Sequence, residues 1–122
     1  MTCRVLLVED HAESAEGLAE LMRLWGYECH VAPSGERALA VAPDLKPDVV
    51  ITDIGLPDID GHEVAQRLRR TPEHAATLLI ALTGHGEASE AEFAASGFDH
   101  HLLKPVEVAK LQRLLEERRR RA

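Results

Sequence analysis

Val49-Val50-Ile51-Thr52-Asp53-Ile54-Gly55-Leu56-Pro57 decides the fold of this chain. Its first four residues are all β-branched, the pattern of a central parallel strand covered on both faces. The run ends on a carboxylate, Asp53, and Gly55 and Pro57 then turn the chain. Asp53 is therefore predicted to stand at the rim of a sheet. Three further strand-like runs end in reactive groups: residues 3–8 in Glu9 and Asp10, 77–82 in Thr83, and 98–103 in Lys104. Carboxylates, a hydroxyl and an amine at four strand ends predict one shared site.

Helical spacing fills the intervals between these runs. Ala15, Leu18, Ala19, Met22 and Trp25 predict a helix over 11–25, capped by Asp10 with Glu13 three positions on, and stopped by Gly26. Tyr27, Cys29 and Val31 alternate with Glu28 and His30, so 27–32 reads as an edge strand with one wetter face. Ser34 is the predicted cap of a second helix carrying Ala38, Leu39, Val41 and Ala42, with 43–47 as the connection after it. Val64, Ala65 and Leu68 mark a third helix, broken by Pro72. Asp58 and Asp60 are expected to cap or precede that helix and not to bind metal. Ala88, Ala91, Phe93 and Ala95 mark a short fourth helix. Pro105 is predicted to start a last one with Val108, Leu111, Leu114 and Leu115. The alternation is α/β, (βα)₅, with right-handed crossovers and a doubly wound parallel sheet in the order 2-1-3-4-5. Residues 1–122 are expected to form a single domain.

Composition narrows the function class. Hydrophobic residues make up 45% and charged residues 29% of the 122, as in a soluble globular domain. Aromatics are only 3%, so the core must be aliphatic. No apolar run approaches the ~18 residues of a membrane span, and the N-terminus shows no signal-peptide pattern, so a cytoplasmic location is expected. The formal net charge of −7 argues against direct nucleic-acid binding, which needs a basic face. The one basic run, 118–121, reads as a solvated helix end suited to the macrodipole, with a docking tail or linker as the alternative. Cys3 and Cys29 read as buried free thiols in a reducing compartment.

In the predicted strand order, strands 1 and 3 are neighbours at the switch point, where ligands bind. Glu9, Asp10 and Asp53 then crowd together. Two carboxylates 4 Å apart repel by about 4 kcal/mol at an effective dielectric of 20. Hard oxygen donors with no His or Cys among them favour Mg²⁺ as the compensating charge. Lys104 supplies the remaining positive charge and brings the formal sum to zero. Such a site suits phosphoryl transfer. Asp53 is then the nucleophile and phosphoacceptor. Asp10 holds the metal directly, Glu9 through water, and Asp53 and the backbone carbonyl of Gly55 complete the protein ligands. Thr83 offers its hydroxyl to a phosphoryl oxygen, Gly84 leaves space beside it, and Lys104 pairs with the phosphoryl group. Thr83 is the expected moving part of a switch.

Five motifs together resemble the receiver domains of bacterial two-component response regulators, of the chemotaxis-regulator type. They are Val8-Glu9-Asp10, Pro47-Asp48-Val49-Val50-Ile51-Thr52-Asp53, Leu56-Pro57-Asp58-Ile59-Asp60-Gly61, Ala81-Leu82-Thr83-Gly84 and Leu102-Leu103-Lys104-Pro105. The resemblance spans residues 3 to 116. It implies a flavodoxin-like fold and Mg²⁺-dependent phosphotransfer to Asp53 from a histidine kinase or phosphotransfer protein. It also implies a cis peptide before Pro105, and a signalling face of helix 4, strand 5 and helix 5. The stretch 97–104 is similar in style to receivers of hybrid histidine kinases.

Two departures stand out. The acid pair is Glu-Asp where Asp-Asp is commoner in the family. His101 occupies the place of the usual aromatic switch residue, so the relay from Thr83 would have to run through an imidazole. The remaining histidines are expected in surface or structural roles, except that His85, two after Thr83, is placed to tune dephosphorylation. Three other readings compete. A pseudo-receiver would keep the fold without the chemistry. A phosphohydrolase would need an acid two residues after Asp53, where Gly55 stands. A flavin-binding protein would need a phosphate-cradling first loop, where acids stand instead. The chain is regulatory and not an enzyme on this reading. Homodimerisation and fusion to other domains both stay open.

Overall fold

The computed structural model describes residues 2–84 and 90–121. The predicted alternation is present: β1 Arg4–Val8, α1 Ala12–Leu24, β2 Glu28–Ala32, α2 Gly35–Leu45, β3 Val49–Asp53, α3 Gly61–Arg70, β4 Leu78–Thr83, α4 Glu90–Ser96, β5 His100–Leu103 and α5 Val108–Arg121. The strands form one five-stranded sheet in the order β2-β1-β3-β4-β5, and every neighbouring pair is parallel. β2 is an edge strand, as its alternation predicts.

Side-chain alternation along the strands divides the core in two. Val5, Leu7, Val49, Ile51, Ile80, Leu82 and Leu102 face one way, against Ala15, Ala19 and Met22 of α1 and Leu111 and Leu115 of α5. Leu6, Val8, Val50, Leu79 and Ala81 face the other way, against Ala38 and Ala42 of α2, Val64, Ala65 and Leu68 of α3, and Phe93 of α4. Every residue of β3 is buried, as a strand covered on both faces requires. Cys3 and Cys29 are buried and unpaired.

Four local expectations are corrected. The cap of α1 is His11, whose Nδ1 accepts from the Ser14 amide at 3.3 Å. Asp10 is therefore not spent on capping. Pro43 does not end α2. The helix runs on to Leu45, which packs on the second core cluster, and stops at Lys46 in the left-handed region, φ 52°. Pro105 does not start α5. It follows a cis peptide after Lys104, as the family resemblance implies, and the helix begins three residues later. Finally, the arginines of 118–121 are not all solvated. Arg118 reaches Asp48 at 3.9 Å, and Arg119 lies over the Tyr27 ring, 4.9 Å from its centroid. No described helix is long and apolar enough to cross a membrane.

Candidate metal and phosphoryl site

The sheet register assembles the site. Val8 pairs with Thr52, so Glu9 and Asp53 leave their strands side by side. Asp53 pairs with Leu82, which brings Thr83 next to it, and the Lys104 amide donates to the Thr83 carbonyl at 2.8 Å. One ligand oxygen each from Glu9, Asp10 and Asp53 lies within 4.8 Å of the others. Glu9 and Asp53 are buried, and Asp10 is exposed. The side chain that bridges them is Lys104. Its Nζ stands 2.7 Å from Asp53 Oδ1 and 3.3 Å from Glu9 Oε1. Glu9 Oε2 accepts from the His11 amide at 3.0 Å, at the start of α1.

Burial and mutual repulsion split the two buried acids. Burial pushes Asp53 up first, its contact with Glu9 adds to that, and Lys104 opposes both. The result is a carboxyl raised to about 7. Burial also works against Glu9, but its bonds from Asp53, the His11 amide and Lys104 outweigh it and hold it down at about 2. The two acids therefore titrate as a pair, with Asp53 the member pushed upward. Burial disfavours the Lys104 ammonium too, yet Asp53 and Glu9 win and raise it.

The donor set fits a hard divalent cation. All three side chains offer oxygen, which suits Mg²⁺ and not zinc. Asp53 Oδ1 is buried with the Lys104 ammonium 2.7 Å away, and that single cation does not balance the three clustered carboxylates. Gly55 is exposed in the loop two residues beyond Asp53, with open space where a side chain would stand.

Thr83 is buried at the end of β4, and its hydroxyl donates to the Gly84 carbonyl at 3.0 Å. His101 lies off the site on β5. Its ring stacks on Phe93 of α4, with centroids 4.6 Å apart and planes 10° apart. His85 lies outside the described residues. Asp60 caps α3, accepting from the Glu63 amide at 2.9 Å. Asp58 precedes α3 and in addition caps α2. Among the described residues, neither is part of the acidic cluster.

Residues 5–116 match the response regulator receiver domain family. The chain belongs to that family. It is 36% identical to the virulence sensor protein BvgS of Bordetella bronchiseptica over 128 residues, covering 100% of this chain and 10% of that protein. The chain thus spans about a tenth of the length of that relative. Among solved structures, the chemotaxis response regulator CheY4 of Vibrio cholerae superposes with a TM-score of 0.87 at 26% identity, covering 97% of this chain and 99% of that one. The receiver domain of the sensor histidine kinase PA1611 of Pseudomonas aeruginosa superposes with a TM-score of 0.85 at 27% identity, over 96% and 97% of the two chains. That structure holds a magnesium ion in its active-site cleft. This chain is accordingly a receiver domain of two-component signalling with a flavodoxin-like fold.

Proposed function

We propose that Asp53 accepts a phosphoryl group from a phosphohistidine of a kinase or phosphotransfer protein, with Mg²⁺ as cofactor. A carboxylate oxygen of Asp53 attacks phosphorus, the phosphorus–nitrogen bond breaks, and the imidazole leaves with the electron pair. The observation that carries this reading is the Asp53–Lys104 contact at 2.7 Å, buried beside Glu9 and ringed by oxygen donors. Glu9, Asp10, Asp53 and the Gly55 carbonyl would hold the metal, which neutralises charge on the transferring group. Asp53 attacks as the ionised carboxylate, the form that Lys104 at 2.7 Å favours. Thr83 turns its hydroxyl from the Gly84 carbonyl toward a phosphoryl oxygen, and Lys104 follows the new negative charge. The magnesium in the similar PA1611 receiver supports the choice of ion.

The domain is a regulatory phosphoacceptor and not an enzyme acting on external substrates. Gly55 stands where an Asp-based phosphohydrolase keeps its acid. The output is a change in the surface formed by α4, β5 and α5, relayed through His101. The charge balance that argues against nucleic acid leaves a protein as the partner. The relation to BvgS and PA1611, both sensors by name, supports a phosphorelay setting.

The test is mass spectrometry after incubation with acetyl phosphate. A gain of one phosphoryl group is expected with Mg²⁺, and its loss with EDTA or in Asp53→Asn. An unchanged mass in the presence of Mg²⁺ overturns the reading.

A further inference from the structure

The segment between Asp53 and α3 carries Gly55 and is fastened at two places. At its ends, the Gly61 amide donates to the Ile54 carbonyl at 2.8 Å. The fit there leaves no room for a side chain, since a Cβ on Gly61 would lie 2.3 Å from the Asp53 carbonyl oxygen. In its middle, Asp58 reaches across to another element. Its Oδ1 accepts from the Gly35 amide at 3.0 Å and its Oδ2 from the Glu36 amide at 2.7 Å. These are first-turn amides of α2, which have no partner inside the helix. Ser34 takes the next one, that of Arg37, at 3.1 Å. The start of α2 is therefore capped jointly by its own Ser34 and by a carboxylate from the loop after β3. Ile59 presses on the same spot, for a Cβ on Gly35 would come within 2.6 Å of its Cγ1.

A helix needs one good cap, and Ser34 supplies it. The second, remote cap costs an ordered carboxylate and a glycine-sized gap at position 35. Its distinctive effect is on the loop. It ties residues 54–60 to α2, a helix packed on β1 and α3, while Gly61 ties the end of the loop back to Ile54. Between these two anchors sits Gly55, itself without neighbours at its Cβ position.

We infer that Asp58 is a positioning residue for the metal and phosphoryl site, holding the Gly55 carbonyl and Asp53 in register by clamping loop 54–60 to the N-terminus of α2. This rests on the receiver reading given above. Groups that orient metal ligands from behind typically contribute tenfold or more to affinity, so about that loss is expected on cutting the clamp.

The experiment is Mg²⁺ titration by calorimetry on three variants, with thermal melting and amide exchange beside it. Asp58→Ala is expected to weaken Mg²⁺ binding about tenfold and to expose the Gly35 and Glu36 amides to exchange. Asp58→Asn keeps one acceptor and is expected to fall between wild type and Asp58→Ala. Ser34→Ala removes the other cap of the same helix, so it is expected to lower the melting temperature and leave Mg²⁺ affinity unchanged. Wild-type affinity in Asp58→Ala overturns the inference, as does an equal loss in Ser34→Ala. If Asp58→Ala does not fold, Asp58→Asn decides by the same measure. A wild-type protein that binds no Mg²⁺ overturns the proposed Mg²⁺-dependent phosphoacceptor function, which separates the two failures.

Discussion

The imidazole of His101 lies flat on the ring of Phe93, 4.6 Å between centroids and 10° between planes. Phe93 stacks in turn on His62 of α3 at 5.5 Å, and His62 Nδ1 bonds Ser96 Oγ on α4. The Ser96 hydroxyl gives its proton to the Glu92 carbonyl, so His62 is the donor in that bond. An aromatic column therefore joins β5, α4 and α3. If His101 takes part in the switch, a change there would reach α4 through a packed ring as well as through the strand. Phosphorylation is expected to alter amide exchange in α4. In His101→Ala the protein should still take up phosphoryl from acetyl phosphate, while the response in α4 is lost. An α4 response that survives in His101→Ala removes His101 from the relay.

Phe93 also carries stability. It is 4% exposed and sits in the core cluster beneath α4. Truncating a buried Phe to Ala costs about 3 kcal/mol or more. Urea unfolding of Phe93→Ala should show a loss of that order. A loss below about 1 kcal/mol would mean that α4 is not held by this packing.

Arg69 fastens the opposite end of the sheet. Its guanidinium donates to the carbonyls of Gly97, Ala75 and Thr77 at 2.9, 3.2 and 2.7 Å, and pairs with Asp99 at 2.7 Å. Asp99 also accepts from the Leu79 amide at 2.9 Å. The stem crosses Gly97 so closely that a Cβ there would lie 2.5 Å from Arg69 Cγ, and Gly97 has φ +97°. Arg69→Ala leaves part-buried carbonyls without their donor, at about 1–3 kcal/mol, while the half-exposed Asp99 keeps the Leu79 amide and water. Arg69→Lys should recover only part of this, because an ammonium cannot span the same fork of acceptors. Equal stability of Arg69→Lys and wild type in urea would refute the fork.

Strand ends were legible because each depends on a local signal. A run of β-branched residues marks β3 and Asp53 as its rim, and a plainer apolar run marks β4 and Thr83. Lys104 closes a mixed run, Phe98 to Leu103, where the pattern is weaker. The α1 cap was not legible, since Asp10 and His11 both carry acceptors and only the demand of the acidic cluster decides between them. The run of α2 through Pro43 depends on Leu45 finding the core, which is a tertiary effect. The reach of Asp58 to α2, the fork of Arg69 and the column through Phe93 all join residues far apart in sequence. Periodicity carries no trace of such contacts. Arg118 and Arg119 read as a charge run because nothing local announces Asp48 or Tyr27 as their partners.

The raised Asp53 carboxyl gives the metal-free protein a pH dependence of definite sign. Asp53 titrates at about 7 in the fold against 3.8 for the ordinary group. Between these values the folded state holds the extra proton, so stability falls as pH rises through the window. Glu9 acts the other way, but its stabilisation is lost only as pH drops from 4.5 toward about 2. Acidification from about pH 7.5 to about pH 5 is therefore expected to stabilise the protein through Asp53. Mg²⁺ must displace that proton, so its apparent affinity should be about tenfold weaker at pH 6 than at pH 8. Asp53→Asn removes the dependence on both counts. A pH-independent Mg²⁺ affinity in the wild type would place the proton elsewhere.

On the proposed reading, Lys104 and an incoming cation would compete for Asp53. The ammonium is 2.7 Å from Asp53 Oδ1, and its side chain is 41% exposed, so it can swing out into water. Removing it takes away one unit of positive charge beside the metal position. A unit charge about 4 Å from a divalent ion contributes roughly 2 kcal/mol in a water-like dielectric, a factor of about thirty. Lys104→Ala is therefore expected to bind Mg²⁺ about thirtyfold more tightly than wild type. The same change should weaken the switch, because the phosphoryl group loses the cation that follows it. Calorimetric titration measures the first effect, and amide exchange in α4 with acetyl phosphate measures the second. Weaker Mg²⁺ binding in Lys104→Ala would show that the lysine organises the acids for the metal and does not compete with it.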